Sequence, residues 1–337
     1  MESCCMGRGW PGSGVLRRAI VVTTTAAFLA GALQAMAQDA WPNHPVRVVV
    51  PSSPGGGTDT FARLITQGLS EDLKQQFVVD NRPGASGNIG TDAVAKAQPD
   101  GYTMLVSATA AVAINPGLYR NLPFNVERDL VPVARGVNSP MVFCSNPTLD
   151  VKTLAELVAL GKREPGTVPF ASAGTGSTTY LGVKMLEEAS GAKFLHVPYK
   201  GVGPAYQDLL GGQVKFMFTD LASVLQYVRA GRVLALAINV RSPLLPNTPT
   251  VAEAGIPGVE ISNSFSVLMP AGTPRPIVAR LAGAMARVMK NPALAQKLEG
   301  QALVPVSDTP EQFAASLKKE REQWAAFIRR NGIVQEQ

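Results

Sequence analysis

The sequence predicts an α/β protein whose sheets are mainly parallel. Short runs of β-branched and aromatic residues alternate with amphipathic segments along almost the whole chain, which is typical of strand–helix–strand units. The chain of 337 residues is long enough for two domains of ordinary size. No low-complexity linker interrupts it and no period of about 20–50 residues recurs. We therefore expect two domains joined through ordered strands.

The strands and helices follow one another in a regular order. The run 46–50, which is apolar apart from Arg47, predicts the first strand, and Phe61, Leu64, Ile65 and Leu69 lie on one face of the first helix. Further strands are predicted at 77–79, 102–106, 130–133, 141–144, 168–171, 194–197, 215–219 and 233–240. Capping residues predict later helix starts at Thr153 with Glu156, Thr250 with Glu253, Thr273 with Pro274, and Thr309 with Pro310 and Gln312.

Residues 1–37 have the pattern of a secretory signal peptide. Arg17 and Arg18 form a positive region, an uncharged apolar run follows from 19 to 33, and Ala35 and Ala37 put small residues where a signal peptidase cleaves. We expect cleavage after Ala37 and export of the mature chain. An uncleaved membrane anchor is the alternative, although the run 19–36 is only marginally long enough to span a bilayer.

Cysteine usage agrees with export. Cys4 and Cys5 leave with the signal peptide, so the mature chain retains one thiol, Cys144, and no internal disulfide. Cys144 ends the apolar stretch 141–144 and is predicted to be a buried, inert residue.

Charge and histidine content restrict the possible functions. The net charge of +6 falls to +4 when the signal peptide removes three Arg and one Glu, and the remaining basic residues are scattered. We therefore expect no nucleic-acid partner, whereas a mild positive charge favours an anionic small molecule. With only two histidines, His44 and His196, we expect no metal site.

The first candidate ligand-binding loop is PSSPGGGTD at 51–59. It follows a predicted strand and precedes a helix, where ligands of open α/β sheets are bound. Its three glycines allow close backbone approach, and the helix start leaves N–H groups free to bind an anion. The loop lacks the Gly-Lys-Ser/Thr of nucleotide loops and the glycine spacing of dinucleotide folds. A tight turn without a ligand is the alternative.

A second loop, ASAGTGSTTYL at 171–181, repeats this arrangement in the other half of the chain. It follows a strand and supplies hydroxyl and N–H donors at a helix start, so two such loops facing each other predict a cleft suited to a carboxylate. The third glycine-rich loop, 81–90, is interpreted as a structural turn. Lys200 is a possible cleft residue, and Asp220 either accepts a hydrogen bond from a ligand amine or hydroxyl or caps the following helix.

Catalysis has little support in the sequence. Gly-x-Ser-x-Gly is absent, and His196 at a strand end is the one histidine in a position to act as a base. We expect no catalytic residue and no cofactor. A hydrolase that uses Ser177 or Ser86 remains the weaker alternative.

The mature chain resembles the Bug family, the periplasmic substrate-binding receptors of tripartite tricarboxylate transporters. The likeness depends on the order and spacing of several segments rather than on one motif. These segments are WP at 41–42, VP at 50–51, PGG at 54–56 with Asp59, NRPGA at 81–85, PDGYT at 99–103, SAGTGS at 172–177, HVPYKG at 196–201, LPNTPTVAEAG at 245–255 and PAGTP at 270–274.

The resemblance implies a type II periplasmic-binding-protein fold with two lobes, a central cleft and two crossing strands. The first lobe would be 39–140 plus 263–337 and the second 141–262. Family members hold a carboxylate mainly through backbone N–H groups and bridging waters. Carried over to this chain, the implied ligand contacts are Ser53, Gly55, Gly56, Asp59, Thr109, Ala173, Gly174, Gly176, Ser177, Thr178 and Asp220.

The resemblance also implies a function. The expected activity is capture of a di- or tricarboxylate, an acidic amino acid or an aromatic acid by lobe closure, for membrane transporter subunits. A monomer is expected, and the alternative is a ligand-sensing module for a receptor kinase. Tyr180 stands where many relatives have His, Ser52 and Ser53 replace a more apolar pair, and the segment at 263–265 lacks a common Trp. These departures concern the identity of the ligand rather than the fold.

Overall fold

The computed structural model describes Met1 and residues 41–259, 261, 263–306 and 308–333. The chain divides into a short unit, Met1–Asn43, and a large unit, His44–Gln337. All strands and helices below belong to the large unit. The predicted signal peptide and its cleavage site lie outside the described residues.

The strands form two sheets. They are β1 (Val46–Val50), β2 (Phe77–Asn81), β3 (Thr103–Ala108), β4 (Leu130–Ser139), β5 (Met141–Ser145), β6 (Pro169–Ser172), β7 (Leu195–Pro198), β8 (Phe216–Asp220), β9 (Leu234–Ile238), β10 (Asn263–Pro270) and β11 (Val304–Pro305). The first sheet has the order β11-β4-β10-β3-β1-β2, and the second has the order β7-β6-β8-β5-β9. The predicted strands therefore form, with bounds shifted by one or a few residues.

The helices lie between these strands. They are α1 (Gly57–Leu73), α2 (Asn88–Ala95), α3 (Asn115–Leu118), α4 (Val126–Asp129), α5 (Leu154–Arg163), α6 (Thr178–Ser190), α7 (Val202–Leu210), α8 (Leu221–Arg229), α9 (Arg275–Met289), α10 (Pro292–Gly300) and α11 (Pro310–Arg330). Among the described residues, no helix combines the length and apolar character that crossing a membrane requires.

Both sheets are mixed, so the prediction of mainly parallel sheets was wrong. β1 runs parallel to β2 and β3, and β6 runs parallel to β7 and β8. β10 runs antiparallel to β3 and β4, and β5 runs antiparallel to β8 and β9. β11 also runs antiparallel to β4. β5 and β10 each follow a passage of the chain between the sheets, so their direction is not set by a crossover helix.

The chain passes between the sheets twice. Pro140 alone separates β4 of the first sheet from β5 of the second, and the chain returns between β9 and β10. Asn239 ties the two passages together: its side-chain oxygen accepts from the Met141 N–H at 2.8 Å, and its Nδ2 donates to the Ile261 carbonyl at 2.6 Å. The strands of the first sheet come from 46–139 and 263–305, and those of the second come from 141–238.

Local sequence explains the helix that follows β1. Gly56 has an extended conformation before the first turn, Phe61, Ile65 and Leu69 are fully buried on one face, and Lys74 ends the helix in the left-handed region. The burial of that one face holds α1 against the first sheet.

Of the four predicted helix starts, two are capped as predicted, one is followed only by a turn, and one begins later than predicted. Thr153 caps α5 and Thr309 caps α11, each with a reciprocal bond. The Thr250–Glu253 bonds also form, but only a turn follows, because Gly255 has a φ of +84° and Pro257 comes next. The predicted cap at Thr273 does not form. The Thr273 hydroxyl donates instead to the preceding Pro270 carbonyl at 2.7 Å, and α9 begins at Arg275 after Pro274.

The core beneath the second sheet is aromatic and closely packed. The Phe143 and Phe218 ring centroids lie 4.4 Å apart, and both side chains are fully buried. α6 approaches this pair so closely that a Cβ on Gly182 would lie 2.0 Å from the Phe218 ring. Glycine at 182 thus fixes the distance between α6 and the sheet.

Candidate functional site

A cavity of about 340 Å³ lies where parallel strands of both sheets end. Ligands of open α/β sheets bind beyond the carboxyl ends of such strands. The cavity is bounded by segments that follow β1, β2 and β3 in the first sheet and β6, β7 and β8 in the second, together with the first residue of β10. The lining residues are Pro51–Ser53, Gly56–Thr58, Pro83–Gly87, Ala108, Ala110, Tyr119, Ala173–Thr175, Ser177–Thr179, Pro198–Val202, Asp220 and Asn263.

Five helices begin at the cavity wall. They are α1, α2, α6, α7 and α8, and the first residue of α1, α6 and α7 lines the cavity. The first turn of a helix carries N–H groups without intrahelical partners and the positive end of the helix dipole. No side chain caps α1 after Gly56 or α7 after Gly201. The wall is therefore electropositive without an arginine among the described lining residues, which suits an anion.

Asp59 holds the first loop in place from behind. Its carboxylate accepts hydrogen bonds at 3.0 Å from the Gly55 N–H, from Nε of Arg63 and from Nδ2 of Asn81. Burial alone would raise the pKa of Asp59, but the bonds from Arg63, Gly55 and Asn81 outweigh it and lower the pKa. Of the predicted contacts in this loop, Ser53 and Gly56 line the cavity, whereas Gly55 and Asp59 are not among its lining residues.

The second loop uses much of its own donor capacity. The Ala173 N–H donates to the Thr179 hydroxyl at 2.9 Å, and the Gly174 N–H donates to the Ser172 hydroxyl at 3.1 Å. Ser177 caps α6 by accepting from the Tyr180 N–H. Of the residues expected to contact a ligand in this loop, Ala173, Gly174, Ser177 and Thr178 line the cavity, and Gly176 is not among the lining residues. Two of the N–H groups expected to bind a ligand are thus paired within the protein.

A hydrogen-bonded group joins the cavity to the crossing strand β10. Asn263 Nδ2 donates to Asp220 Oδ1 at 2.8 Å, and Asn263 Oδ1 accepts from the Thr109 N–H at 3.3 Å. The Thr109 hydroxyl in turn accepts from the Ser264 N–H at 2.9 Å. Asp220 and Asn263 line the cavity, whereas Thr109 is not among the lining residues and is buried between two that are, Ala108 and Ala110.

The buried environment of Asp220 changes its acidity. Burial raises the pKa of Asp220 to about 6, although the hydrogen bond from Asn263 acts in the opposite direction. Asp220 precedes α8 but its side chain does not cap that helix. Of the two roles that the sequence left open for Asp220, the capping role was therefore wrong.

Loops from the two sheets touch across the cavity. The Ser86 hydroxyl donates to the Thr175 carbonyl at 3.3 Å. A Cβ on Gly201 would lie 2.8 Å from the Ser53 hydroxyl oxygen, and one on Gly56 would lie 3.3 Å from Val202. In this conformation the first loop and the start of α7 therefore leave no room for additional side-chain atoms.

Sequence reasoning missed two of these loops as parts of the site. The loop 83–87 was interpreted as a structural turn, and the loop 198–202 was considered only through Lys200. Both follow strands of the parallel sets, β2 and β7, and this position was the signal available in the sequence.

His196 offers no support for catalysis. Its Nε2 lies 2.7 Å from the Ser172 hydroxyl, and it is not among the residues that line the cavity. Burial, with a smaller contribution from the charge of Lys184, lowers the pKa of His196 to about 4. The ring is therefore neutral at physiological pH and packs against Phe170 and Tyr180 as part of the core.

Two α/β sheets joined by two crossing segments, with a cavity lined by helix N-termini between them, define a solute-binding receptor of the type II periplasmic-binding-protein class. The chain belongs to the family described as "Tripartite tricarboxylate transporter family receptor" (TctC), whose model matches residues 61–333. This family and its structural neighbours are binding receptors, which confirms both the Bug-family resemblance and the prediction that the chain is not an enzyme.

Relatives of known sequence and structure align over nearly their whole length. Protein BugT of Bordetella pertussis (strain Tohama I / ATCC BAA-589 / NCTC 13251) is 38% identical over 306 residues, which cover 90% of this chain and 94% of BugT. The structure of R. palustris Rpa4515 with adipate has a TM-score of 0.84 and 33% identity, covering 87% of this chain and 99% of that one. The structure of MatC (Rpa3494) from Rhodopseudomonas palustris with bound malate has a TM-score of 0.81 and 31% identity. The match covers 85% of this chain and 99% of that one.

Proposed function

We propose that this chain is a periplasmic receptor that captures a small carboxylate in the 340 Å³ cavity and delivers it to the membrane subunits of a tripartite tricarboxylate-type transporter. The observation that carries the proposal is the convergence of the starts of α1, α6 and α7 on one cavity. Their N-termini supply positive potential and N–H donors to an anion. The adipate and malate found with related receptors are consistent with a carboxylate as that anion.

Binding would proceed by closure of two lobes, 39–140 plus 263–337 and 141–262. The ligand carboxylate would lie between the first loop, at Ser53 and Gly56, and the second loop, at Ser177 and Thr178. A ligand favours closure only through contacts that it makes in the closed state. The Ser86–Thr175 hydrogen bond, which joins residues of the two lobes, would be a protein–protein contact of that state.

The binding step is tested by thermal shift and calorimetry with a panel of mono-, di- and tricarboxylates, amino acids and neutral solutes. We expect one acid or a small group of acids to raise the melting temperature in a saturable manner. A complete lack of response to the panel would refute the carboxylate assignment. Native mass spectrometry of gently purified protein provides an independent measurement, since a copurifying acid at one per chain identifies the class of ligand directly.

A charge substitution at the start of α1 isolates the electrostatic part of the proposal. Gly56→Asp adds a negative charge at the helix start, and Gly56→Asn adds a side chain of nearly the same shape without charge. Both must fit beside Val202. We expect Gly56→Asp to weaken binding by about tenfold more than Gly56→Asn, because only the carboxylate repels the ligand. Equal losses in the two variants would remove the support for an anion at this position.

Transfer to a transporter is tested separately. The liganded and ligand-free receptor are each incubated with membranes that contain the transporter subunits, and bound partners are cross-linked. We expect the liganded form to be captured with the permease subunits. Ligand-dependent capture of a sensor kinase instead would support the alternative function and would refute the transport role.

A further inference from the structure

The part of the cavity next to the crossing strand is acidic. We call this part the floor, and it consists of Asp220, Asn263, Ala108 and Ala110. Asp220 is 7% exposed and Asn263 is 3% exposed, so both polar side chains are buried in the wall. The side chains of the two alanines are apolar. Any polar group of a ligand that reaches the floor therefore meets a carboxylate and a carboxamide.

Among the described residues, no cation pairs with the carboxylate of Asp220. Its bond from Asn263 Nδ2 comes from a neutral amide, and no positive side chain contributes to its pKa. Among the described lining residues the one Lys or Arg is Lys200, which is exposed and precedes Gly201, the residue that faces Ser53 across the cavity. The positive charge of the lining therefore belongs to the loops, and the negative charge belongs to the floor.

The orientation of the floor groups is fixed. The Asn263 side chain is held at both ends, since its oxygen accepts from the Thr109 N–H and its nitrogen donates to Asp220. Asp220 is thus presented by a rigid support and does not depend on a mobile surface side chain. An ionised carboxylate has only acceptor sites, and one held in a buried wall is stabilised by a ligand donor and destabilised by a ligand anion.

We infer that this cavity selects small acids that carry, in the part that reaches the floor, a hydrogen-bond donor such as a hydroxyl or an ammonium group, and that it discriminates against a second carboxylate there. This inference rests on the proposed function, because it takes the first carboxylate to lie at the helix N-termini. Asp220 is then the specificity-determining residue, and it accepts the hydrogen bond of the ligand donor.

The test uses ligands that differ only at the far end. Two series of equal chain length are titrated by calorimetry at pH 7.5: butanoate, 4-hydroxybutanoate, 4-aminobutanoate and succinate, and then hexanoate, 6-hydroxyhexanoate, 6-aminohexanoate and adipate. In the series whose length fits the cavity, we expect the donor-terminated acids to bind at least about tenfold more tightly than the dicarboxylate. The hydroxyl and ammonium members distinguish a neutral donor from a cationic one.

A matched pair of substitutions assigns the effect to one residue. Asp220→Asn removes the charge with almost no change in shape, and we expect it to reduce the ratio between donor-terminated acid and dicarboxylate to within about threefold. Asp72→Asn is the control, because Asp72 pairs with Arg287 outside the residues that line the cavity. We expect the control to retain the wild-type ratio.

The two levels of the proposal fail in different ways. If the dicarboxylate binds as tightly as the donor-terminated acids and Asp220→Asn leaves the ratio unchanged, the inference is overturned while the carboxylate receptor stands. If no member of the acid panel or of either series binds, the proposed function itself fails. Should Asp220→Asn not fold, the wild-type ratio alone decides the inference.

Discussion

Asn263 Nδ2 donates to Asp220 Oδ1 at 2.8 Å, and this bond connects the end of β8 in the second sheet to the first residue of β10 in the first sheet. Both residues line the cavity. The bond therefore lies at once in the wall of the site and in one of the two passages between the sheets. A ligand that changes the hydrogen bonding of Asp220 therefore also affects Asn263, where the chain enters the first sheet.

The first prediction concerns stability and pH. Burial raises the pKa of Asp220 to about 6 from the ordinary value of 3.8, so the folded protein binds this proton more tightly than the unfolded chain does. The resulting stabilisation is complete below about pH 4 and is lost as pH rises through 6. Asp220→Asn should therefore be more stable than the wild type at pH 8, by up to about 3 kcal/mol, and this advantage should disappear as pH falls towards 4.

Urea denaturation of both proteins between pH 4 and pH 8 measures this difference. If the free energy of unfolding changes with pH equally in the wild type and in Asp220→Asn, the Asp220 carboxyl does not titrate as its burial implies. Asp72→Asn serves as the control for removal of a surface carboxylate, and it should not reproduce the gain at high pH.

The second prediction concerns the contact between the loops. Gly201 has a φ of +120°, and a Cβ there would lie 2.8 Å from the Ser53 hydroxyl oxygen. Gly201→Ala should lower ligand affinity by at least about tenfold, because the two loops can no longer approach. Ser53→Ala in the same chain removes the clashing oxygen and should restore part of the affinity, as calorimetry would show.

Gly231→Ala is the control for the loop contact. Gly231 also has a positive φ, +64°, but a Cβ there meets nothing within 4 Å. The affinity of the Gly231→Ala variant for the ligand should equal that of the wild type. If Ser53→Ala gives no recovery in the Gly201→Ala background, the loss comes from backbone strain alone and not from the Ser53 contact.

The third prediction contrasts two helical glycines. A Cβ at Gly182 in α6 would lie 2.0 Å from the Phe218 ring, whereas one at Gly283 in α9 would meet only the end of the Arg287 side chain at 3.5 Å. Gly182→Ala should destabilise the fold by about 1–3 kcal/mol through overpacking. Gly283→Ala should stabilise it by about 0.5–1 kcal/mol through helix propensity. Chemical denaturation of both variants checks the opposite signs.

The fourth prediction concerns the thiol of Cys144. Cys144 is fully buried, and burial raises its pKa to about 12. In a variant with Cys4 and Cys5 replaced by serine, thiol reagents at pH 8 should not react with the native protein and should label one thiol after denaturation. Rapid labelling of the native protein would mean that the strand β5 opens readily.

Much of the fold could be read from local pattern. Val46–Val50 is apolar apart from Arg47 and forms a strand that is almost wholly buried, and Thr153 with Glu156 forms the predicted cap of α5. Patterns of this kind depend on neighbours within a few residues, so they survive without knowledge of the tertiary structure. The helix predicted after Thr250 shows the limit of such local patterns. The capping bonds form, but Gly255 and Pro257 stop the chain from continuing as a helix.

The candidate site was predictable only in part. Ser53, Gly56 and Ser177 follow strands of a parallel set and Asp220 ends one, and the sequence reveals these positions. The loop 83–87 also follows such a strand, but it was interpreted only as a structural turn. The position of Asn263 beside Asp220 was not predictable, since it depends on how the chain returns to the first sheet.

By itself, the sequence determined the alternation of strands and helices, the two glycine-rich loops at helix starts and the family, because each of these is recorded in short segments and in their order. Only the tertiary structure decided the mixed direction of the sheets, the pairing of Asp59 away from the cavity and the buried Asp220–Asn263 contact. Residues 220 and 263 are 43 positions apart along the chain. Contacts across such a separation are set by the packing of whole sheets, which no local pattern encodes.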